Sequence, residues 1–238
     1  MRLLRISAAI SLILLVFSTA DSQAFQTGTM AAQSKIAISF IGQCTGTTSC
    51  VPPAHRSGDL FIVGVGRDAT TTAPTIPAGW TSVTTPSING TTTADSVMAV
   101  VCRVATTNAE TITGFTNGAN LVALVYRGQR AANTTNCASA TLGTPQNFTS
   151  TINTTTTTVT YNGVTNLNAD SWNAALVYAP AATVGLGTAP TSMTNRALAG
   201  ATKAAGHDTN AKVSSWSTAN VTITTASRVI TSVIEIKN

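Results

Sequence analysis

Charge is scarce in this chain. Only 9% of its 238 residues are Asp, Glu, Lys or Arg, and aromatics supply 5%. A disordered chain needs high net charge and few aliphatic residues. With 43% hydrophobic residues and a mean hydropathy of +0.23, this sequence excludes that class. It also excludes a long solvated helix or coiled coil, whose outer faces carry many charges. The 13 basic residues exceed the acids by five but form no cluster, so nucleic acid has no electrostatic footprint here. Metal and catalytic patterns are equally thin. There is no Cys-x-x-Cys pair, and the 2 histidines stand apart, which leaves zinc without a ligand set. No Asp-x-Asp-x-Asp array offers a calcium loop. No Gly-x-Ser-x-Gly elbow presents a nucleophile. Gly64-Val65-Gly66 and Gly185-Leu186-Gly187 lack the following helix that a phosphate cradle needs.

Threonine is abundant instead, at roughly a fifth of the residues. Its branched Cβ suits a pleated surface, and its hydroxyl keeps an outer face wet without charge. Past residue 30 no helical period appears. Short β-branched runs alternate with Gly, Pro, Asn and Asp, the pattern of an all-β sandwich or barrel. Lys35 to Phe40 puts Ile36, Ile38 and Phe40 on one face. Asp59–Val65, Ser96–Val101, Asn120–Tyr126 and Trp172–Tyr178 are apolar on both faces, as central strands are. Thr154 to Thr158 reads as a solvated edge strand or a loop. Val221–Thr224 and Val229–Ile236 read as a closing hairpin, with Glu235 turned outward. The fold class is all-β: one antiparallel β-sandwich, jelly-roll or concanavalin-like, of about ten strands. It occupies residues 25–238.

Residues 1–24 precede it as a signal-like apolar segment. Arg2 and Arg5 give a positive start, Ile6 to Phe17 an apolar run, and Ser22-Gln23-Ala24 small residues at a cleavage site. The run is short for a membrane span, which takes about 20 apolar residues. The other reading is a retained N-terminal helix. The 4 cysteines are Cys44, Cys50, Cys102 and Cys137, and they allow three connectivities. Cys44 and Cys50 flank a polar loop that can close as a small ring, which leaves Cys102 to meet Cys137. Alternatively Cys102 is a small buried hydrophobe in its strand.

A set of short motifs recurs in order along the chain: Ser57-Gly58-Asp59-Leu60, Pro77-Ala78-Gly79-Trp80, Tyr126-Arg127-Gly128 and Ile234-Glu235-Ile236. Their order and spacing resemble a family of β-sandwich proteins found among bacteriophage tail and other virion-associated proteins. The resemblance spans residues 32–238. It implies a structural or binding role and carries over no catalytic residue.

The motif residues also have readings of their own. Pro77-Ala78-Gly79 is turn chemistry, and Trp80 beside it reads as a plug at one end of the sandwich, with its indole N–H on a loop carbonyl. A sugar-stacking platform is the alternative. Asp59 holds the Ser57-Gly58 turn through backbone N–H groups. Arg127 ends a buried strand and calls for a carboxylate or loop carbonyls. His55 and the His207-Asp208 pair read as solvated loop residues, and Asp59 and Glu235 as unburied acids. No cofactor, metal ligand or catalytic residue is therefore expected. The expected role is that of a non-enzymatic virion structural protein, acting by self-assembly and surface attachment. Its partners would be copies of itself and other virion or surface proteins, with no nucleic acid and no stable membrane span. The alternative is a secreted or cell-surface adhesin that takes a glycan. Loops 42–58, 129–150 and 196–215 are the candidates for recognition.

Overall fold

A strand that is apolar on both faces needs cover on both sides, and the architecture follows from that need. The computed structural model describes residues 36–89, 95–130, 137–150, 155–180, 186–200 and 203–238. The first sheet contains β1 (Ser39–Gly46), β2 (Leu60–Arg67), β3 (Thr81–Ser82), β4 (Ser87–Asn89), β5 (Ser96–Val104) and β6 (Asn120–Arg127), in the order β1-β6-β2-β5-β3 with β4 also on β5. A four-residue helical turn, α1 (Cys137–Ala140), follows. The second sheet contains β7 (Gln146–Thr149), β10 (Trp172–Tyr178), β11 (Thr194–Ala199), β12 (Ala204–Asp208) and β15 (Ile230–Ile236), in the order β11-β12-β10-β15-β7. Two small ladders complete the set: β8 (Thr156–Tyr161) with β14 (Ala219–Ser227), and β9 (Val164–Thr165) with β13 (Ser215–Trp216). Every strand pair is antiparallel.

The two-residue period sorts side chains into three buried layers. Between the sheets lie Leu60, Ile62, Val100, Val122, Leu124 and Tyr126 from the first and Ala174, Leu176, Tyr178, Ile234 and Ile236 from the second. The alternate residues of the first sheet, Phe61, Val63, Val101, Ala123 and Val125, face a shell of loops through Ile112, Phe115 and Trp80. The alternate residues of the second sheet, Ala175, Val177, Ala205 and Val233, lie under the small ladders, against Val159, Tyr161, Val164, Trp216 and Val221. Central strands are thus apolar throughout because each is covered twice. The sheets approach closely enough that some positions have no room for a side chain. A Cβ on Gly66 would sit 2.2 Å from the Tyr178 ring.

The all-β sandwich class matches the sequence reading, with details that differ. There are fifteen strands among the described residues, the extra ones being short cover and edge pieces and β12, which lies inside the second sheet. β14 and β15 are not a hairpin, since β14 pairs with β8 while β15 lies between β10 and β7. β1 begins at Ser39, so Ile36 precedes it and is exposed while Ile38 is buried. The stretch 196–215, expected as a loop, contains the end of β11, all of β12 and the start of β13. Thr156–Tyr161 is a strand of the cover layer, with Thr158 exposed opposite Thr222. The signal-like segment 1–24 lies outside the described residues. Residues Lys35–Asn238 form one compact unit. Two disulfides are present, Cys44–Cys50 and Cys102–Cys137, with Cα separations of 5.7 Å and 6.1 Å. The second fixes α1 against β5 at the margin of the inter-sheet core.

Candidate functional site

The motif residues converge at one end of the sandwich, where β2 starts and β6 finishes. Leu60 pairs with Tyr126 across these strands, which brings the preceding Asp59 beside the following Arg127. The guanidinium takes the carboxylate in a two-pronged grip: Nε donates to Oδ1 at 2.8 Å and the second nitrogen to Oδ2 at 2.6 Å. Planar, paired donors make this among the strongest side-chain interactions. It holds Arg127 above its ordinary pKa, through the Asp59 hydrogen bond. Asp59 Oδ2 also accepts the Arg56 N–H at 2.8 Å and so closes the turn. Asp59 is buried, at 2% exposure, contrary to the sequence reading of an unburied turn acid. Its pairing with Arg127 is what permits the burial. Gly128 follows with φ of +84°, and a Cβ there would lie 2.3 Å from the Ala37 carbonyl oxygen. Gln129 Nε2 then donates to Gly58 O at 2.6 Å. The two stretches expected as loops, 42–58 and 129–150, are thereby joined at Gly58 and Gln129, although 42–46 belong to β1, 137–140 to α1 and 146–149 to β7.

Tyr126 faces the other way, into the inter-sheet core. Its hydroxyl donates to Asp208 Oδ2 at 3.1 Å. Asp208 Oδ1 accepts Arg196 Nε at 2.9 Å, and Arg196 lies 4.4 Å over the Phe40 ring. Burial raises the Asp208 pKa against the opposing pull of Arg196. Burial, then the Asp208 charge, pushes the Tyr126 hydroxyl well up. This group closes the open side of the sandwich where β1 meets β11. Both edge strands carry a bulge there, at Phe40/Gly42 and at Asn195/Ala197. Arg196 sits in the second bulge and reaches inward from it. Sequence reading placed His207 and Asp208 in a surface loop. They are fully buried residues of β12. Ala204-Ala205-Gly206-His207-Asp208 lacks branched residues, so nothing in it announces a strand. Its small side chains fit because Gly206 packs beneath Leu124 and Val122.

Trp80 lies on the outer face of the first sheet, half-buried. It stacks near Phe61 (6.3 Å) and meets Phe115 edge-on (5.3 Å), and Arg103 covers it at 4.7 Å. The indole that reaches a loop carbonyl is instead Trp216, whose Nε1 donates to Thr191 O at 3.0 Å. Arg103 continues to Glu110, which also accepts Thr106 N–H, Thr106 Oγ1 and Thr107 N–H. Burial raises the Glu110 pKa, but these donors outweigh it and hold the carboxyl low. His55 is buried, not solvated. Its Nδ1 meets Pro53 O and its Nε2 accepts Glu110 N–H, each at 2.9 Å. One tautomer satisfies both contacts: Nδ1 carries the proton. Glu235 is buried too, at 1% exposure. Its Oε1 accepts Ser171 Oγ at 2.7 Å and the Leu167 and Asn168 N–H groups.

Sequence reasoning missed Arg196, Glu110 and Arg103 as structural partners. Arg103 gave the one usable signal, a lone charge inside the apolar run Val100-Val101-Cys102-Arg103-Val104. Among the described residues no three His, Cys, Asp or Glu side chains gather as a metal group. An internal gap beside Gly64, Gly66, Met98 and Tyr178 is apolar and has no room for a water molecule. No helix among the described residues is long and apolar enough to cross a membrane. Compared with protein-family models, curated proteins and solved structures, the chain matches none.

Proposed function

We propose that this chain is a non-enzymatic structural protein of a virion, a phage tail, fibre or capsid-surface component that acts by self-assembly and surface attachment. The observation that carries this reading is what the signature residues do. Asp59, Tyr126 and Arg127 bind their neighbours and not an open cleft: Asp59 holds Arg127 and a turn N–H, and Tyr126 holds Asp208. The remaining described acids follow suit except Asp68, which is exposed and accepts the adjacent Ala69 N–H. Glu110, Asp170 and Asp95 face Arg103, Lys212 and Arg228, and Glu235 anchors a loop. Acids committed to clamps make a stiff platform for loops, and a charge-poor surface favours protein–protein packing because little must be desolvated. Its partners on this reading are further copies of the chain and other virion or surface proteins.

The second reading, an exported adhesin that binds a glycan, is favoured by the two disulfides, because disulfides persist in oxidising compartments. One experiment separates the two. Mass spectrometry of the N-terminal peptide and of cysteine oxidation is applied to purified particles and to the soluble and envelope fractions. A full-length or Met-trimmed chain in particles supports the virion protein. A terminus near Asp21 or Phe25, outside particles and with oxidised cysteines, overturns it in favour of the adhesin.

A further inference from the structure

The second sheet wears its cover loosely in one respect: the polar groups beneath the cover are not all satisfied. His207 is fully buried on the outward face of β12, under the β8/β14 ladder. Its Nε2 meets Tyr161 Oη at 3.3 Å, and its ring stands edge-on to that ring at 5.8 Å. Its Nδ1 has no partner among the described residues. Asn173 lies diagonally from it on β10, also fully buried, with neither amide atom partnered. Among the described residues the cover strands carry no ladder hydrogen bonds to the sheet below, since β8 pairs with β14 and β9 with β13. It is held by apolar contact through Val159, Tyr161, Val164, Trp216 and Val221, and by side-chain hydrogen bonds that include Thr231 Oγ1 to Thr160 O, Asn162 Nδ2 to Asn147 O and Trp216 Nε1 to Thr191 O.

We infer that this cover is an acid-released flap, which lifts when His207 takes a second proton and bares the outer face of the second sheet. Neutral His207 already leaves one ring nitrogen unsatisfied. The imidazolium has two N–H donors and a charge, and among the described residues its ring is hydrogen-bonded only to the Tyr161 oxygen, with no carboxylate in contact. The groups facing it explain why nothing compensates. β8 presents Tyr161, β10 Ala175 and Asn173, β11 Asn195, and β9 and β13 Val164 and Trp216. Glu235 of β15 shares this face, but Ser171 and two loop N–H groups already hold it. Lys212 pairs with Asp170 in exposed loops, Arg228 turns to Asp95, and Asp208 with Arg196 lies on the opposite face of the sheet. Burial accordingly depresses the His207 pKa to about 4. A histidine neutral in the closed state and ordinary when open loses its closing advantage as pH falls below about 6.5. The loss is complete near the closed-state pKa. Opening exposes Ala175, Val177, Ala205 and Val233, an apolar strip that is covered at neutral pH.

The test is native-state amide exchange on the full chain from pH 7 to pH 4, corrected for intrinsic exchange. Protection of 156–161 and 219–227 is expected to fall about tenfold per pH unit below pH 6.5, the slope for one proton. Protection of β2 and β6 should stay flat. H207Q, which keeps a partner for Tyr161 but does not titrate, should flatten the cover's response. If that variant does not fold, the wild-type contrast decides alone. A cover whose protection does not change with pH overturns the flap, as does a cover that opens only together with β2 and β6, or an H207Q chain with the wild-type slope.

Discussion

At the scale of single residues, the molecule uses its few charges as fasteners. The Asp59–Arg127 pair is two-pronged and joins the start of one central strand to the end of its neighbour. Asp59→Ala would leave the Arg56 N–H and the half-exposed guanidinium without their acceptor. We expect a cost of about 1–3 kcal/mol in urea unfolding. Arg127→Met should cost more, because it strands a buried carboxylate. A loss below about 0.5 kcal/mol in both variants would mean that water replaces the pair. Glu110 makes a different prediction. Its folded pKa lies below the ordinary value, so its contribution is present above the unfolded pKa and is lost as pH falls through the folded one. Glu110→Gln should therefore narrow the gap between urea midpoints measured at pH 7 and at pH 3. An unchanged gap would assign the acid limb to other carboxylates.

Among elements, the strands that sequence revealed best are those whose covering is most complete. β2, β6 and β10 are apolar at nearly every position, and that composition alone marks a strand buried on both faces. The elements it hid owe their place to partners far along the chain. β12 carries a glycine at 206 because Leu124 and Val122 crowd the place where its Cβ would be, a fact held far upstream in the chain. Glu235 follows the outward alternation read from sequence, yet is buried because the 167–171 turn folds over it. Alternation gives the face; it does not say what lies on that face. The four cysteines left several pairings open, and proximity in the fold decides among them. The two bonds should differ in worth. Cys102–Cys137 spans 35 residues and Cys44–Cys50 spans 6. Loop-closure entropy assigns the longer bond about 1.5 kcal/mol more. Paired Cys→Ala variants compared by urea unfolding should show that order, and a reversed order would refute the entropic account. Arg196 is the fastener of the β1–β11 seam. Arg196→Ala should expose two bulged edges and raise light scattering on mild heating. Unchanged scattering would show that the bulges protect the edges unaided.

For the molecule as a whole, three apolar layers in a chain of modest length require close sheet-to-sheet approach. Gly66 is one place where that approach leaves no room for a side chain, against Tyr178. Gly66→Ala should cost about 2 kcal/mol or more, the ordinary range for overpacking. It should do so without touching the clamps at the motif end, so the tryptophan fluorescence of the folded state would keep its wavelength. A shift in that emission at neutral cost would place the adjustment elsewhere. Of the candidate recognition loops, 42–58 and 129–150 meet at the Gly58–Gln129 contact and share the motif end. Sequence proximity could not show this, because the joining residues lie 71 positions apart.

The described chain enters and leaves at that same end: Asn238 Nδ2 reaches Ile36 O at 3.4 Å. A tug on the two ends therefore loads the edge strand β1 as a zipper, and its ladder partners with β6 part in succession from Ser39 to Gln43. The next residue is Cys44, covalently tied to Cys50, whose own backbone is bridged to Ile112. The bond carries the load past residues 45–49 straight to Cys50, so the Cys50–Ile112 bridge is the next contact that must part. Under such a load the disulfide is a stitch that keeps the small loop from running out.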